Sequence, residues 1–211
     1  QAVPVMGFYD SYDRDVMRQH VLWFVDMGVD FIFADWSNHI WGMNHWSERS
    51  PGTNTILHAT TLMFETLAEM RAEGIPVPKM VIMPGLSNGP PAAMTALNEQ
   101  LQWIHENYNR NPRFEGLMQV FDGKPLVVVL DTGALAHPKG TAESAYRIPF
   151  IRQTIGMSEA SLDSLRANMK TPVDDSRFTI RWMSTQLQTT GHGTLGYWTW
   201  MDGSIRPVVT Y

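Results

Sequence analysis

The chain has 211 residues, of which 44% are hydrophobic and 18% are charged. This length and this composition are sufficient for one globular domain with a full core. The formal net charge of -5 and the pI near 5.8 argue against a nucleic-acid partner, because such partners bind basic surfaces. No apolar run approaches the ~20 residues needed to cross a bilayer, so a membrane-spanning role is not expected. The absence of cysteine excludes disulfides and thiolate metal sites.

The first part of the sequence predicts a strand, a helix and a second strand. Val3 to Tyr9 is a short apolar segment that predicts a first strand. Ser11 or Asp13 can cap the following helix, and Gly28 ends it. Its predicted buried face consists of residues at helical spacing, namely Val16, His20, Trp23, Phe24 and Met27. The segment from Asp30 to Asn38 opens with four consecutive apolar residues, as is typical of a parallel strand buried on both faces.

Helices and strands continue to alternate after a polar, Trp-containing loop from His39 to Asn54. A helix with an apolar stripe ends at Gly74, and a second buried strand covers Lys79 to Met83. A third helix is expected from about Ala92 to Tyr108. Further strands are predicted at Leu117 to Phe121, Leu126 to Leu130, Phe178 to Met183 and Leu195 to Trp200, with Asp122-Gly123 as a turn and another apolar segment at Ile205 to Tyr211.

Regular alternation of strands and helices predicts an α/β protein with a parallel sheet. A doubly wound sheet usually carries a glycine-rich nucleotide motif, and neither GxGxxG nor GxxxxGK[ST] occurs here. We therefore expect a (β/α)8 TIM-type barrel, incomplete at one or both termini because the chain is short for this fold. Residues 1–211 are interpreted as a single catalytic domain with an irregular insert at about 132–172.

Three short segments resemble glycoside hydrolases of the endo-α-mannosidase type (family 99) and distant relatives such as family 71. Met6-Gly7-Phe8-Tyr9-Asp10-Ser11, followed by a helix with His20, resembles their "G-Y-Y-D-S … H" opening. Gly28-Val29-Asp30-Phe31 leading into Asp35-Trp36 resembles the strand that follows in those enzymes. Asp122-Gly123-Lys124-Pro125 with Leu126 to Asp131 resembles their "dGKP-v-v-Y-d" strand. The matches occur in the same order as in the family.

This resemblance implies a (β/α)8 barrel that acts on a polysaccharide or glycan. In the mannosidases, the strand between the last two segments carries the catalytic glutamates. The corresponding strand here, from Met80 to Asn88, contains no carboxylate. The resemblance therefore gives the fold and the substrate class but not the catalytic pair. Together with Gln1, which a cleaved signal peptide or a trimmed terminus would explain, it implies a secreted or extracytoplasmic location.

Glycoside hydrolysis typically requires two carboxyl groups, one protonated and one ionised, so acids that follow strands are the catalytic candidates. Asp35 ends the Asp30–Asn38 strand beside an indole and an amide, and Asp131 has the same position after its own strand. Either aspartate could instead cap the backbone of the next loop. Asp202 follows a Trp-rich strand but also suits a turn, and Glu143 lies in the irregular insert, where a lone glutamate is often simply solvated.

Indole rings and polar side chains near strand ends predict a carbohydrate-binding cleft, because rings stack on sugars while polar groups bind hydroxyls. The predicted substrate-binding residues are Trp36, Asn38, Trp41, His45, Trp46, Arg49, Asn88, Trp198 and Trp200. His39, His45 and Glu48 lack the spacing of a zinc site, so we predict no metal and no cofactor.

The sequence therefore predicts a glycoside hydrolase that cleaves a polysaccharide or glycan in a Trp-lined cleft, using carboxylates at strand ends. Two alternatives stay open. One is a non-catalytic carbohydrate-binding barrel that keeps the rings but has no working acid pair. The other is a polysaccharide lyase with His45 or Tyr146 as the base, although a net negative protein suits an acidic substrate poorly.

Overall fold

A computed structural model of the chain describes residues 5–36, 55–84, 94–131, 176–184 and 198–199. These residues form three α-helices and six strands. In chain order the elements are α1 (Arg14–Asp26), β1 (Phe31–Trp36), α2 (Thr55–Ala72), β2 (Lys79–Pro84), α3 (Met94–Ile104), β3 (Val120–Phe121), β4 (Lys124–Asp131), β5 (Thr179–Ser184) and β6 (Trp198–Thr199). A π-helical turn, His105–Asn109, continues α3, and a 3-10 turn, Pro112–Phe114, follows it.

The sheet runs in the order β1-β2-β4-β5-β6, and every neighbouring pair in this order is parallel. This confirms the predicted α/β class with a parallel sheet. The order follows the sequence without reversal, so the described sheet has no topological switch point, which is the feature that defines a doubly wound fold. The described strands do not close on themselves, so the barrel stays a prediction.

All three helices pack on the same face of the sheet, which we call the outer face. Their apolar residues share one core with the even-numbered positions of β1 and β2, such as Trp36 and Ile82, and with Val127 and Val129 of β4. Right-handed crossovers that always advance in one direction place the helices on a single side, as in a barrel wall. The outer face therefore carries the main core of the described structure.

The opposite face, here the inner face, has a second apolar cluster that contains no residue of the three described helices. It consists of Val81, Met83, Leu126, Val128 and Met183, with Phe33 packed against it. Successive side chains of a strand point to opposite faces, so these residues alternate with those of the outer core. A sheet that is apolar on both faces accounts for the continuous apolar runs in β1, β2 and β4.

The predicted start of α1 and the predicted glycines after α1 and α2 are confirmed, whereas α3 ends at Ile104, before the predicted Tyr108. Asp13 caps α1, because its Oδ1 accepts hydrogen bonds from the backbone N–H groups of Asp15 (2.9 Å) and Val16 (3.4 Å). Gly28 (φ +70°) and Gly74 (φ +89°) follow the ends of α1 and α2 in the left-handed conformation that glycine adopts readily. Exposed ion pairs join the two helices, with Arg14 contacting Glu65 and Glu69.

Two predictions about the first part of the chain are wrong. Residues 5–9 form turns and bends rather than the predicted strand. Of the predicted buried face of α1 only Val16 is buried, together with Met17 and Val21, whereas Trp23 is exposed and Met27 is 66% exposed. Successive residues of an α-helix are rotated by 100°, so the other predicted residues lie on a different flank of α1 from Met17 and Val21. That flank faces away from α2, at the edge of the described sheet beside β1.

A β-hairpin is the antiparallel exception in the sheet. β3 pairs with the start of β4 through the turn at Asp122 and Gly123, which the sequence predicted. Both turn residues have positive φ angles, 52° and 79°, as a two-residue hairpin turn requires. The Arg181 guanidinium forms an ion pair with Asp122 and lies over the Phe121 ring at 5.0 Å. The hairpin thus sits at the amino end of the strands.

Among the described helices, none is long and apolar enough to cross a membrane. The single-domain interpretation of residues 1–211 stays a prediction, and the insert at about 132–172 lies outside the described residues.

Candidate active site

The parallel strands bring their carboxyl ends to one edge of the sheet. Asp35 and Trp36 end β1, Pro84 ends β2, and Asp131 ends β4. Ser184 ends β5 and is paired with Asp131 in the register. Ligands of parallel α/β proteins bind at this edge, so we take it as the candidate active site.

Asp35 is exposed and lies on the inner face, where its neighbours along the strand alternate with the helix-facing residues. It is in register with Met83 of β2, a member of the inner cluster. Among the described side chains, the Asp35 carboxylate is thus placed at the mouth of the inner face rather than under the helices. This is the position expected of a strand-end acid that acts on a ligand.

The backbone register gives the spacing between the two predicted catalytic aspartates. Asp35 is level with Met83, and because Ile82 pairs with Val127, Met83 is level with Val128. Asp131 therefore lies three positions nearer the carboxyl edge and two strands away from Asp35. In a flat sheet with strands ~4.8 Å apart and a rise of ~3.3 Å per residue, their Cα atoms would be about 14 Å apart.

Trp36 is not a stacking platform for sugar, which corrects its interpretation as a substrate-binding residue. Its side chain is 0% exposed and lies in the outer core. The indole Nε1–H donates a hydrogen bond to Thr60 Oγ1 at 2.9 Å, and the ring contacts Trp103 edge to face at 5.8 Å. Because Asp35 and Trp36 are adjacent in a strand, only one of them can point to the inner face.

Most other predicted site residues lie outside the described residues, so the structure does not place them. These are Asn38, Trp41, His45, Trp46, Arg49, Asn88, Glu143, Trp200 and Asp202. Trp198 belongs to β6, where its backbone pairs with Met183 of β5. The roles of all these residues stay predictions. Within the described ranges, no group of three or more His, Asp or Glu residues could hold a metal ion.

A tyrosine and a histidine that the sequence analysis did not select meet near the same edge. Tyr12 directly precedes the N-cap of α1, and His58 lies in the first turn of α2. Their ring centroids are 5.1 Å apart with an interplanar angle of 55°. Both helices begin on the carboxyl side of β1, since Thr60 bonds Trp36 at the strand's end. Each residue lies beside the start of a helix at the carboxyl edge, and this position in the sequence could have identified Tyr12 and His58 as site candidates.

The opposite, amino edge is occupied by the β3–β4 hairpin. Thr179 Oγ1 donates a hydrogen bond to the Phe121 carbonyl, in addition to the Arg181–Asp122 ion pair. Alternation in β5 places Thr179 and Arg181 on the inner face with Met183. In the part of the chain that the structure describes, polar contacts therefore cover the amino end of the inner face, while the carboxyl end carries Asp35.

Comparisons with known proteins identify similar solved structures but no sequence family. No family model matches the chain, and no curated protein matches it. The chain is similar to the GH99 endo-alpha-mannosidase from Bacteroides thetaiotaomicron in complex with Bis-Tris-propane, with a TM-score of 0.53 and 16% identity. That similarity covers 94% of this chain and 50% of the other.

A second structure of the GH99 endo-alpha-mannosidase from that organism has a TM-score of 0.41 at 16% identity, covering 87% of this chain and 56% of the other. The chain thus spans about half the length of the solved structures it matches. At such low identity, the first similarity shows a shared fold only.

Proposed function

We propose that this chain is a glycoside hydrolase that cleaves a glycan at the carboxyl edge of its parallel sheet. The observation that carries the proposal is the placement of Asp35, exposed on the inner face at that edge, in a sheet without a switch point. The fold similarity to an endo-alpha-mannosidase supports a carbohydrate as the ligand and α-mannosides as the first substrates to test. A secreted or extracytoplasmic location belongs to the same proposal.

In this proposal, Asp35 and Asp131 are the two catalytic carboxylates, and Glu143 and Asp202 are alternative acids. Retaining enzymes hold their carboxyl groups ~5 Å apart, whereas inverting enzymes hold them ~6.5–9.5 Å apart to admit a water. The backbone separation of about 14 Å between the Cα atoms of Asp35 and Asp131 exceeds both carboxyl separations. In either arrangement one carboxyl group protonates the leaving oxygen, while the other acts as the nucleophile or activates water, and product analysis gives the stereochemical outcome.

The remaining predicted residues would bind the glycan around this pair. The rings are Trp41, Trp46, Trp198 and Trp200, and the hydrogen-bonding groups are Asn38, His45, Arg49 and Asn88. Trp36 is omitted from this set because it is a core residue. In the sequence, seven of these residues come after β1, β2 or β6, and Trp198 belongs to β6, so we expect a ligand at the carboxyl edge to meet several of them.

A non-catalytic carbohydrate-binding protein is the second candidate, and one observation favours it. The chain from Gly74 to Asn98, which contains β2 and the residues after it, has no aspartate or glutamate. The strand next to Asp35 therefore offers no second acid, and hydrolysis depends on the more distant Asp131. A barrel that binds sugar without cleaving it would have no need of that acid.

The test is incubation of the protein with a polysaccharide and oligosaccharide panel that includes α-mannans, followed by analysis of new reducing ends and their anomeric form. We expect cleavage, and we expect Asp35→Asn and Asp131→Asn each to reduce kcat by at least ~100-fold. Sugar binding by both variants should persist. Binding without new reducing ends in the unmutated protein would identify a binding protein, and an unsaturated product would identify a lyase.

A further inference from the structure

The start of α1 and the first turn of α2 form a paired surface at the edge of the candidate active site. Arg14 contacts Glu65 and Glu69, and Arg18 contacts Glu73, so the two helices run side by side in the same direction. The Thr66 hydroxyl also contacts the sulfur of Met17 at 3.9 Å. Just before these contacts, at the start of both helices, the rings of Tyr12 and His58 meet with their centroids 5.1 Å apart.

Both rings are held by regular backbone structure. The backbone N–H of Tyr12 donates a hydrogen bond to Asp10 Oδ1 at 2.9 Å, and the next residue, Asp13, caps α1. His58 is fixed by the helical backbone of α2, two residues before Thr60, which anchors that turn to β1 through Trp36. Rings positioned in this way lose little freedom when a ligand binds, which favours affinity.

The polar atoms of this ring pair remain available. Tyr12 is half-buried and His58 is exposed, and neither the Tyr12 hydroxyl nor the His58 imidazole hydrogen-bonds another described residue. Tyr108 shows the contrast, because its hydroxyl is buried and bonded to Thr61 Oγ1 at 2.9 Å. A sugar has apolar C–H faces and hydroxyl groups, and a Tyr–His pair offers ring faces together with donors and acceptors for both.

We propose that Tyr12 and His58 form a subsite that binds a sugar unit of the glycan away from the bond that is cleaved. The subsite is adjacent in the chain to residues 37–54, which follow Asp35 and Trp36 and contain the predicted rings Trp41 and Trp46. This inference rests on the proposed function for its ligand class. It adds a length preference: oligosaccharides long enough to reach the α1–α2 surface bind more tightly than short ones.

The test is an NMR titration of the full chain, labelled at histidine, with α-manno-oligosaccharides of two to six units. The His58 imidazole signals, assigned by their loss in His58→Ala, should shift and saturate with the longer ligands. His20 is the matched control, because it makes a similar ring contact with Tyr9 (5.4 Å) on the other flank of α1 and should not shift. Tyr12→Ala and His58→Ala should each weaken binding of the longest ligand about tenfold, or ~1.4 kcal/mol.

Product analysis of the same samples separates this inference from the proposed function. Cleavage without a His58 shift, or with an equal shift at His20, would overturn the subsite and leave the hydrolase in place. A His58 shift without cleavage would support the subsite and overturn the hydrolase. If neither occurs across the panel, both are wrong. Tyr12→Phe keeps the ring, so a loss of affinity smaller than that of Tyr12→Ala would assign the contact to stacking.

Discussion

Two side chains with polar groups, Trp36 and Tyr108, define the core behind the candidate active site. The indole N–H of Trp36 donates to Thr60 Oγ1, and the Thr60 hydroxyl donates to the Ile56 carbonyl at 2.7 Å. The Tyr108 ring stacks on Phe64, with centroids 4.3 Å apart. Since the Trp36 indole N–H and the Tyr108 hydroxyl each have a partner, these two large rings are buried without an unpaired polar atom of their own. The core thereby fixes the end of β1 against α2.

Replacing Thr60 with valine tests the assignment of Trp36 to the core. Thr60→Val leaves the buried indole N–H without an acceptor, which we expect to lower the free energy of unfolding by about 1–3 kcal/mol in urea denaturation. The control is Trp23→Phe at an exposed ring, for which a change within ~0.5 kcal/mol is expected. A neutral Thr60→Val, or a Thr60→Val that weakens sugar binding without affecting stability, would contradict the core role.

Tyr108 predicts a loss of stability at alkaline pH. Burial raises the pKa of Tyr108 above its ordinary value near 10, although the hydrogen bond with Thr61 lowers it slightly. The folded protein therefore keeps its proton while the unfolded chain loses it. The stability that comes from this raised pKa is fully present below pH ~10. Above that pH it is lost progressively, because the free energy of unfolding falls by ~1.4 kcal/mol per pH unit.

The variant Tyr108→Phe provides the comparison. At neutral pH it should be less stable by about 1 kcal/mol, because the hydrogen bond between Tyr108 and Thr61 is lost. Above pH 10 the free energy of unfolding of the wild type should fall more steeply than that of the variant. Urea denaturation of both proteins from pH 8 to pH 11 checks this, and parallel pH profiles would refute it.

At the scale of elements, local residue chemistry identified the helix ends and the hairpin turn. Gly28, Gly74 and the Asp122–Gly123 pair were predictable because each needs a conformation that only a few residue types adopt. The buried stripe of α1 was not predictable in the same way. Two apolar stripes lie side by side on this helix, and the one that is buried depends on α2 and β1, which are distant in sequence.

The hairpin turn predicts an asymmetric response to substitution. Gly123 has φ +79° and open space around its Cα, so Gly123→Ala meets no clash but forces alanine into the left-handed region. We expect a loss of about 1–2 kcal/mol in unfolding free energy. Asp122→Asn keeps a residue that tolerates this conformation and loses only the exposed pair with Arg181, at a cost below ~1 kcal/mol. Equal losses for the two variants would show that the ion pair, not the backbone, stabilises the turn.

For the molecule as a whole, the main finding is a sheet that is apolar on both faces. The inner cluster around Met83 and Val128 contains no residue of the described helices. Its contribution to the free energy of unfolding therefore tests whether the sheet curves around this cluster and buries it. Met83→Ala should lower the free energy of unfolding by about 2–5 kcal/mol, like other large-to-small core changes. The measurement is urea denaturation with the exposed Met27→Ala as control. A change below ~1 kcal/mol would mean that the inner face is not a core.

The sequence predicted that Asp35 and Asp131 end strands at the same edge, because parallel strands have their carboxyl ends on one side of the sheet. Their spacing could not be predicted, since it depends on the register of β1, β2 and β4, which long-range pairing sets. For the same reason Trp36 was misassigned: the continuous apolar run before it has no alternation to show which face each residue joins. Tyr12 and His58 were missed because they come together only when α1 and α2 pack.

The strand order without reversal has a consequence for how this protein can change. The segments that follow β1 and β2, residues 37–54 and 85–93, each lie in the sequence between a strand and a helix, and strands that follow one another along the sheet order also follow one another in sequence. Swapping or lengthening one such segment leaves the ladder pairing of the others untouched. Ligand preference can therefore be altered piece by piece, by evolution or by an engineer, while the scaffold that supports Asp35 stays the same.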